Sequence, residues 1–170
     1  MMFMYKRSKS VHPEAALIRK EWTIRLLDLP PEILTRRRQL LRWIAISLGL
    51  ISPGDERDAV IDVLDALFHY IYGKDVEPNV QQIQLFVNRR RQERGEKPVV
   101  TEAIRYHLRR IEAAGIIEKT KARGGSYRFS KGFESSYGDP ASFVDAVFQD
   151  VLASKQLIEK AVRNLASLYK

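Results

Sequence analysis

Basic side chains are concentrated in one part of the sequence and are the residues best suited to bind a ligand. Residues 89–131 carry thirteen basic and five acidic side chains, so a quarter of the 170-residue chain holds a net charge of +8, equal to that of the whole chain. Guanidinium and ammonium groups at this density attract polyanions, above all the phosphates of a nucleic acid. A solvated basic face without a partner is the alternative interpretation.

Three groups of side chains in this stretch are candidates for nucleic-acid contacts. Cations at a helix end suit phosphates, exposed side chains one turn apart on a helix suit a DNA groove, and a basic hairpin suits the adjacent phosphates or the minor groove. The candidates are Arg89, Arg90, Arg91 and Arg94 at the end of one predicted helix, Thr101, Arg105, Tyr106 and Arg109 on the next helix, and Lys121, Arg123 and Arg128 on a predicted hairpin. Surface ion pairs, a packed tyrosine and a solvated turn are the alternatives without a ligand.

An acidic stripe precedes the basic stretch. Its members fall within about 80° on one side of a predicted helix, opposite the apolar side. They are Asp55, Asp58, Asp62, Asp65 and His69. We expect a solvated face; ion pairs with the basic residues 36–38 and a divalent-metal site are the alternatives, and the sequence supplies no second set of metal ligands.

Catalytic motifs are absent from the sequence. The chain has no cysteine, and its three histidines, His12, His69 and His107, are far apart. It contains no phosphate-binding loop, no GxSxG motif and no GxGxxG motif after a strand. We therefore expect no enzymatic activity, no cofactor and no metal ion.

The hydrophobic pattern predicts the elements that must position these residues. Apolar side chains recur with helical spacing, and Gly and Pro mark the breaks between segments. The predicted helices are 14–29, 31–50, 55–72, 79–94, 101–115 and 140–169, with Thr101 capping the fifth, and the predicted strands are 116–122 and 126–130 around the tip Arg123-Gly124-Gly125. The predicted fold class is mainly α with one small β-hairpin.

The last predicted helix carries an approximate heptad pattern. Apolar residues repeat at the a and d positions over four heptads, with the polar Ser154 at one d position, which is typical of a helix that pairs with another helix. The predicted dimerisation residues are Val144, Val147, Val151, Ile158, Ala161, Leu165 and Leu168.

The segment TEAIRYHLRRIEAAGIIEKTKARGGSYRFSKGF, residues 101–133, resembles the recognition helix and wing of winged helix-turn-helix regulators. MarR-like and PadR-like repressors are the most similar types, and the resemblance extends over residues 55–133. The charged turn ERGEKPVV and the 54-residue N-terminal part depart from the PadR-like pattern. The resemblance implies a winged helix-turn-helix domain over residues 55–133. The flanking parts are predicted as a basic N-terminal arm and helical extension (1–54) and a C-terminal dimerisation helix (134–170).

The resemblance and the charge pattern together predict a sequence-specific double-stranded DNA-binding protein, most simply a homodimeric transcriptional regulator. Two alternatives stay open. One is a winged-helix factor that binds structured RNA or the ribosome, because phosphate attraction does not identify the sugar. The other is a helical protein–protein interaction module.

The sequence also bears on location. Its longest apolar stretch, WIAISLGLI, has nine residues, whereas a membrane-spanning helix needs about 20. No apolar run of signal-peptide length follows the basic N-terminus. We expect a cytoplasmic protein without a membrane partner.

Overall fold

Helices dominate the structure, a computed structural model that describes residues 13–120, 124–131 and 139–170. The helices are α1 (Glu14–Leu17), α2 (Arg37–Ser47), α3 (Ala59–Phe68), α4 (Val80–Glu93), α5 (Thr101–Ala113) and α6 (Phe143–Ser167), and the strands are β1 (Ile117–Thr120) and β2 (Ser126–Phe129). The two strands form one antiparallel sheet. The prediction of a mainly helical chain with a small β-hairpin is confirmed.

Helix α3 is the centre of the core. Eight of its ten residues are buried, and it contacts α2, α4 and α5. Helix α5 contributes Ile104, Leu108 and Ile111, which are fully buried, as their spacing predicted. Helix α4 begins at the predicted place because Asn79 caps it. The Gln82 backbone amide donates to Asn79 Oδ1, and the Asn79 backbone amide donates to Gln82 Oε1.

The hairpin packs its aromatic side against the helices. Tyr127 and Phe129 are buried while Arg128 between them points outward, as the alternation predicted. The Phe129 ring stacks on Tyr72 and on Phe143, with ring centroids 5.0 and 4.9 Å apart. These contacts fix the hairpin between the end of α3 and the beginning of α6. Residues 121–123, which form the end of the predicted first strand and the first position of the predicted tip, lie outside the described residues.

The prediction of a helix over residues 14–29 is wrong. Only α1 is helical, and residues 18–30 run without regular secondary structure along the end of α2. Instead of forming hydrogen bonds within a helix of their own, these residues bond to the end of α2. The Arg25 amide donates to the Ser47 carbonyl, and the Arg25 guanidinium donates to the carbonyls of Ile46 and Ile51. Arg25 thus supplies donors that the last turn of a helix otherwise lacks.

Two further predicted boundaries are wrong. The segment 31–50 contains a single 3₁₀ turn, Pro31–Ile33, separated from α2, and Leu34 in the gap is exposed. The segment 55–72 is helical only from Ala59 to Phe68 and then widens into a π-type turn, His69–Gly73. The widened turn directs the Tyr70 hydroxyl to the Gln82 carbonyl on α4.

Helix α6 changes character along its length. Phe143 and Val147 near its start are buried in the core, whereas Leu157, Ile158 and Leu165 are more than half exposed. Within the described part of the chain, no helix combines the length and the apolarity needed to cross a membrane.

Candidate nucleic-acid interface

The outer side of α5 carries exposed cations. Because Ile104, Leu108 and Ile111 face the core, the opposite side of the helix presents Arg105 and Arg109, both exposed and one turn apart. Neither guanidinium forms an ion pair or a hydrogen bond with any residue in the described ranges. Tyr106 lies beside them and is half exposed. Two open arginines at this spacing can reach neighbouring phosphates or base edges.

The turn that precedes α5 is tied to α4. The Val99 amide donates to Asn88 Oδ1 at 2.7 Å, and Asn88 Nδ2 donates back to the Val99 carbonyl at 3.1 Å. The Thr101 hydroxyl donates to Gln84 Oε1 at 2.8 Å. The prediction of Thr101 as the helix cap is wrong, because Val100 is the N-cap and Thr101 is the first helical residue. These bonds fix the angle between α4 and α5.

The hairpin packs beside α5, whose residues contact strand β1. Burial raises the pKa of the Tyr127 hydroxyl, Glu112 adds to that rise, and the positive charges of Arg105 and Arg109 oppose it.

The predicted hairpin contacts divide into two cases. Arg128 lies opposite Glu118 across the sheet, and its Nε donates to Glu118 Oε1 at 2.6 Å. Its charge is therefore compensated within the hairpin. Lys121 and Arg123 lie outside the described residues.

Arg91 and Arg94, predicted to bind phosphates, instead direct their guanidinium groups to carboxylates of the protein. They belong to a cluster of three guanidinium and three carboxylate groups that joins α2, α3, α4 and the turn after α4. We call this the buried ion-pair cluster after its buried centre, Asp62, around which the other side chains are partly exposed. Its members are Arg38, Asp58, Asp62, Arg91, Arg94 and Glu96.

Asp62 is the centre of the buried ion-pair cluster. Its side chain is 1% exposed, and its two oxygens accept hydrogen bonds from Arg38 at 2.8 Å, Arg91 at 2.9 Å and Arg94 at 2.8 Å. The hydrogen bonds between Arg94 and Glu96 raise the pKa of Arg94 and lower the pKa of Glu96. Arg91 is only 15% exposed and also donates to the Lys97 carbonyl. Its guanidinium is thus committed to internal partners.

The prediction that the acidic stripe is a solvated face is wrong for its central members. Asp62 and Asp65 are buried, and Asp65 forms an ion pair with Arg37, with 3.5 Å between Arg37 Nε and Asp65 Oδ1. The alternative of ion pairs with the basic residues 36–38 is confirmed for Arg37 and Arg38. The sequence contained a signal: α3 is apolar on all sides apart from its two aspartates, and such a helix must be buried. Buried aspartates need cationic partners.

The carboxylates of the buried ion-pair cluster also approach each other. One oxygen from each of Asp58, Asp62 and Glu96 lies within 4.8 Å of the others. Three guanidinium groups already balance these three charges, so a divalent cation would have to displace hydrogen bonds of 2.8–2.9 Å to Asp62. The charge balance of this cluster therefore favours ion pairing between the helices over metal binding.

Arg89 and Arg90, the other two predicted phosphate ligands, point outward. Arg89 is 79% exposed and lies 3.6 Å from a Glu93 oxygen. Arg90 lies over the Phe86 ring, 5.2 Å from its centroid, and 3.4 Å from the other Glu93 oxygen. An exposed pair of this kind is weak and exchanges readily with a phosphate partner.

Arg110 is a residue that the sequence reasoning did not assign to the site. Its Nη2 donates to the Leu50 carbonyl, and its guanidinium lies 5.7 Å from the centroid of the Tyr106 ring. It therefore attaches the side of α5 to the loop after α2 and orients Tyr106. The spacing of Tyr106 and Arg110, four residues apart on a helix, was the available signal.

No family model, curated protein or solved structure gives a significant match to this chain.

Proposed function

We propose that the protein is a winged helix-turn-helix factor that binds double-stranded DNA, most simply as a dimeric transcriptional regulator. Helices α3, α4 and α5 with the hairpin are the winged unit, within residues 55–133. Helix α5 enters the major groove, and the hairpin lies along the neighbouring backbone.

One observation carries the proposal: Arg105 and Arg109 are exposed on the outer side of α5 and have no ion-pair partner among the described residues, whereas Arg91, Arg94 and Arg128 are paired internally. Unpaired cations at groove spacing are available to a polyanion without first breaking an internal contact. Tyr106 and Arg110 border the same face, and Arg89 and Arg90 on α4 are available for further phosphate contacts.

The test compares nucleic acids of different kinds. The protein is titrated into mixed-sequence duplex DNA, single-stranded DNA and a structured RNA at two salt concentrations. We expect a preference for duplex DNA and an affinity that falls steeply with salt, because each neutralised phosphate contributes about 0.9 to the slope of log K against log salt. A preference for structured RNA would contradict the proposal and favour the RNA-binding alternative.

The matched variants separate the site from the overall charge. The double variant Arg105→Ala/Arg109→Ala should lose about 1–3 kcal/mol of binding free energy for each arginine that contacts a base. The control Lys160→Ala/Arg163→Ala removes the same charge from exposed positions on α6. Equal losses in the two variants would show that general attraction, not α5, binds the nucleic acid.

The dimeric part of the proposal concerns the distal half of α6. Leu157, Ile158, Val162, Leu165 and Leu168 are all more than half exposed. A row of apolar residues on a helix is favourable only when another surface covers it. A second copy of the same helix is the simplest cover, since the exposed predicted positions follow the heptad. Val147, which was also predicted for the dimer, is buried in its own core and does not belong to this surface.

Light scattering at a series of concentrations tests the dimer. We expect a dimer for the native chain and a monomer for Ile158→Glu/Leu165→Glu, whose altered side chains are exposed in the single chain and so leave its core intact. An unchanged mass for this variant would show that α6 does not pair through this face.

A further inference from the structure

Glu102 is the one acidic residue in the first two turns of α5, on a side of the helix that otherwise presents cations. It is exposed, and its carboxylate forms no ion pair or hydrogen bond with the described residues. At about 100° per residue, Glu102 and Tyr106 lie within about 30° of the direction opposite the three buried residues of α5, and Arg105 and Arg109 lie on one flank. Glu102 therefore points almost directly away from the core.

The turn before Glu102 is held rigidly on α4. Asn88 exchanges two hydrogen bonds with Val99, at 2.7 and 3.1 Å. Gln84 donates to the Val99 carbonyl at 3.2 Å and accepts from the Thr101 hydroxyl at 2.8 Å. Side chains at the start of a recognition helix are the ones that reach base edges, and a supported backbone makes such a contact precise. Glu102 occupies that place on α5.

A carboxylate that enters the major groove needs a hydrogen-bond donor there. Phosphates along both edges of the groove repel it, and loss of its hydration without a partner is costly. The bases offer two kinds of donor in this groove, the N4 amino group of cytosine and the N6 amino group of adenine. Adenine also places the acceptor N7 beside its amino group, where it repels the second carboxylate oxygen. Cytosine has no acceptor there and is the better partner.

A structural role for Glu102 is the alternative. A glutamate in the first turn of a helix is stabilised by the helix dipole. That role requires neither the outward direction of the side chain nor the absence of a cationic partner among the described residues. It also predicts no preference for a base, so a binding experiment separates the two roles.

We propose that Glu102 is a specificity-determining residue, whose carboxylate accepts a hydrogen bond from the N4 amino group of a cytosine in the major groove. This inference rests on the proposed function, because it requires α5 to lie in the groove. The same carboxylate is repelled by the phosphates of every sequence. It therefore weakens non-specific binding while it selects one base.

The first experiment finds the base by selection of duplexes from a random-sequence pool. The native chain is compared with Glu102→Ala and with the control Glu112→Ala, which removes the same charge from an exposed position near the end of α5. We expect the native chain and the control to enrich cytosine at one position that Glu102→Ala leaves random. The other enriched positions should be shared. Circular dichroism confirms that each variant is folded.

The second experiment tests the hydrogen bond in the selected duplex. N4-methylcytosine still pairs with guanine, but its methyl group replaces the amino hydrogen that faces the groove. We expect this methyl group to weaken binding of the native chain about tenfold to a hundredfold, the range for loss of a specific base contact. The affinity of Glu102→Ala should not change. A clash of the methyl group with another residue would weaken both proteins alike.

The outcomes separate this inference from the proposed function. Three results would overturn the role of Glu102 while duplex binding remains. They are the same enriched bases for the native chain and Glu102→Ala, a base other than cytosine at the position that the variant loses, and equal affinity of the native chain for the cytosine and N4-methylcytosine duplexes. Absence of binding to any duplex would instead overturn the proposed function and this inference with it.

Discussion

Arg91 on α4 and Arg105 on α5 lie fourteen residues apart in one basic stretch, and they have opposite surroundings. Arg91 contacts Asp58, Asp62 and Glu96 and is 15% exposed. Arg105 is exposed and pairs with no residue in the part of the chain that the structure describes. The density of positive charge in a sequence therefore does not show which cations are open to a partner. Only the cations that the fold leaves unpaired can meet a polyanion without first breaking an internal contact.

The largest effect that separates the two regions should come from Asp62→Asn. The substitution keeps the shape of the side chain but removes the charge around which three guanidinium groups gather. Breaking a buried ion pair by removing one partner costs about 3–5 kcal/mol, because it leaves buried charge uncompensated. Urea unfolding measures the loss. Asp145→Asn on the exposed side of α6 is the control, and similar stabilities for both variants would show that the cluster contributes little.

The next largest effect should distinguish Arg91, whose loss affects mainly stability, from Arg105, whose loss affects mainly nucleic-acid binding. Arg91→Ala should lower the free energy of unfolding by about 1.5–3 kcal/mol, the range for hydrogen bonds to charged groups, with a small effect on nucleic-acid binding. Arg105→Ala should change stability by no more than about 0.5 kcal/mol and weaken nucleic-acid binding. Unfolding and binding are measured on both variants. If Arg91→Ala weakens nucleic-acid binding as strongly as Arg105→Ala does, the distinction between the internally paired and the unpaired arginine is wrong.

The smallest effect concerns pH. The hydrogen bond from Arg94 lowers the pKa of Glu96 below its ordinary value of 4.5. A lowered pKa in the folded state means that the ionised carboxylate stabilises the fold above pH 4.5 and that this contribution is lost as the pH falls through the lowered value. Because Glu96 is partly exposed, the contribution should stay below about 1 kcal/mol.

Chemical denaturation between pH 3 and pH 7 measures this contribution. Stability should fall less steeply towards low pH in Glu96→Gln than in the native chain. Parallel curves would show that the pairing of Arg94 with Glu96 does not couple to folding.

The sequence predicted those elements whose signals are local. Helices α4 and α5 have regular apolar spacing, Asn79 supplies a cap, and Tyr127 and Phe129 alternate with Arg128 in the hairpin. The outward direction of Arg105 and Arg109 follows from the same spacing. These parts could be predicted because each depends on residues within a few positions of one another.

The wrong predictions concern parts of the chain whose conformation depends on residues far away in the sequence. Residues 18–30 have a helical composition, yet Arg25 finds better partners in the carbonyls at the end of α2. The inward direction of Arg91 and Arg94 depends on Asp62, about thirty residues earlier in the chain. Helical periodicity describes one segment at a time and does not show which segments meet.

Gly49 lies where residues 18–30 cross the end of α2, an arrangement that we call the N-terminal crossing, and it limits how related sequences can vary. Its φ of +71° already favours glycine, and an added Cβ would collide with the Thr23 carbonyl oxygen and Cβ. In related chains that keep the crossing, position 49 should accept glycine alone, because the second restriction excludes even asparagine. In chains that have lost residues 18–30, only the first restriction would remain, and asparagine should appear. The residue at position 49 and the presence of the segment 18–30 should therefore vary together. An alignment that includes chains with and without this segment would test the expectation.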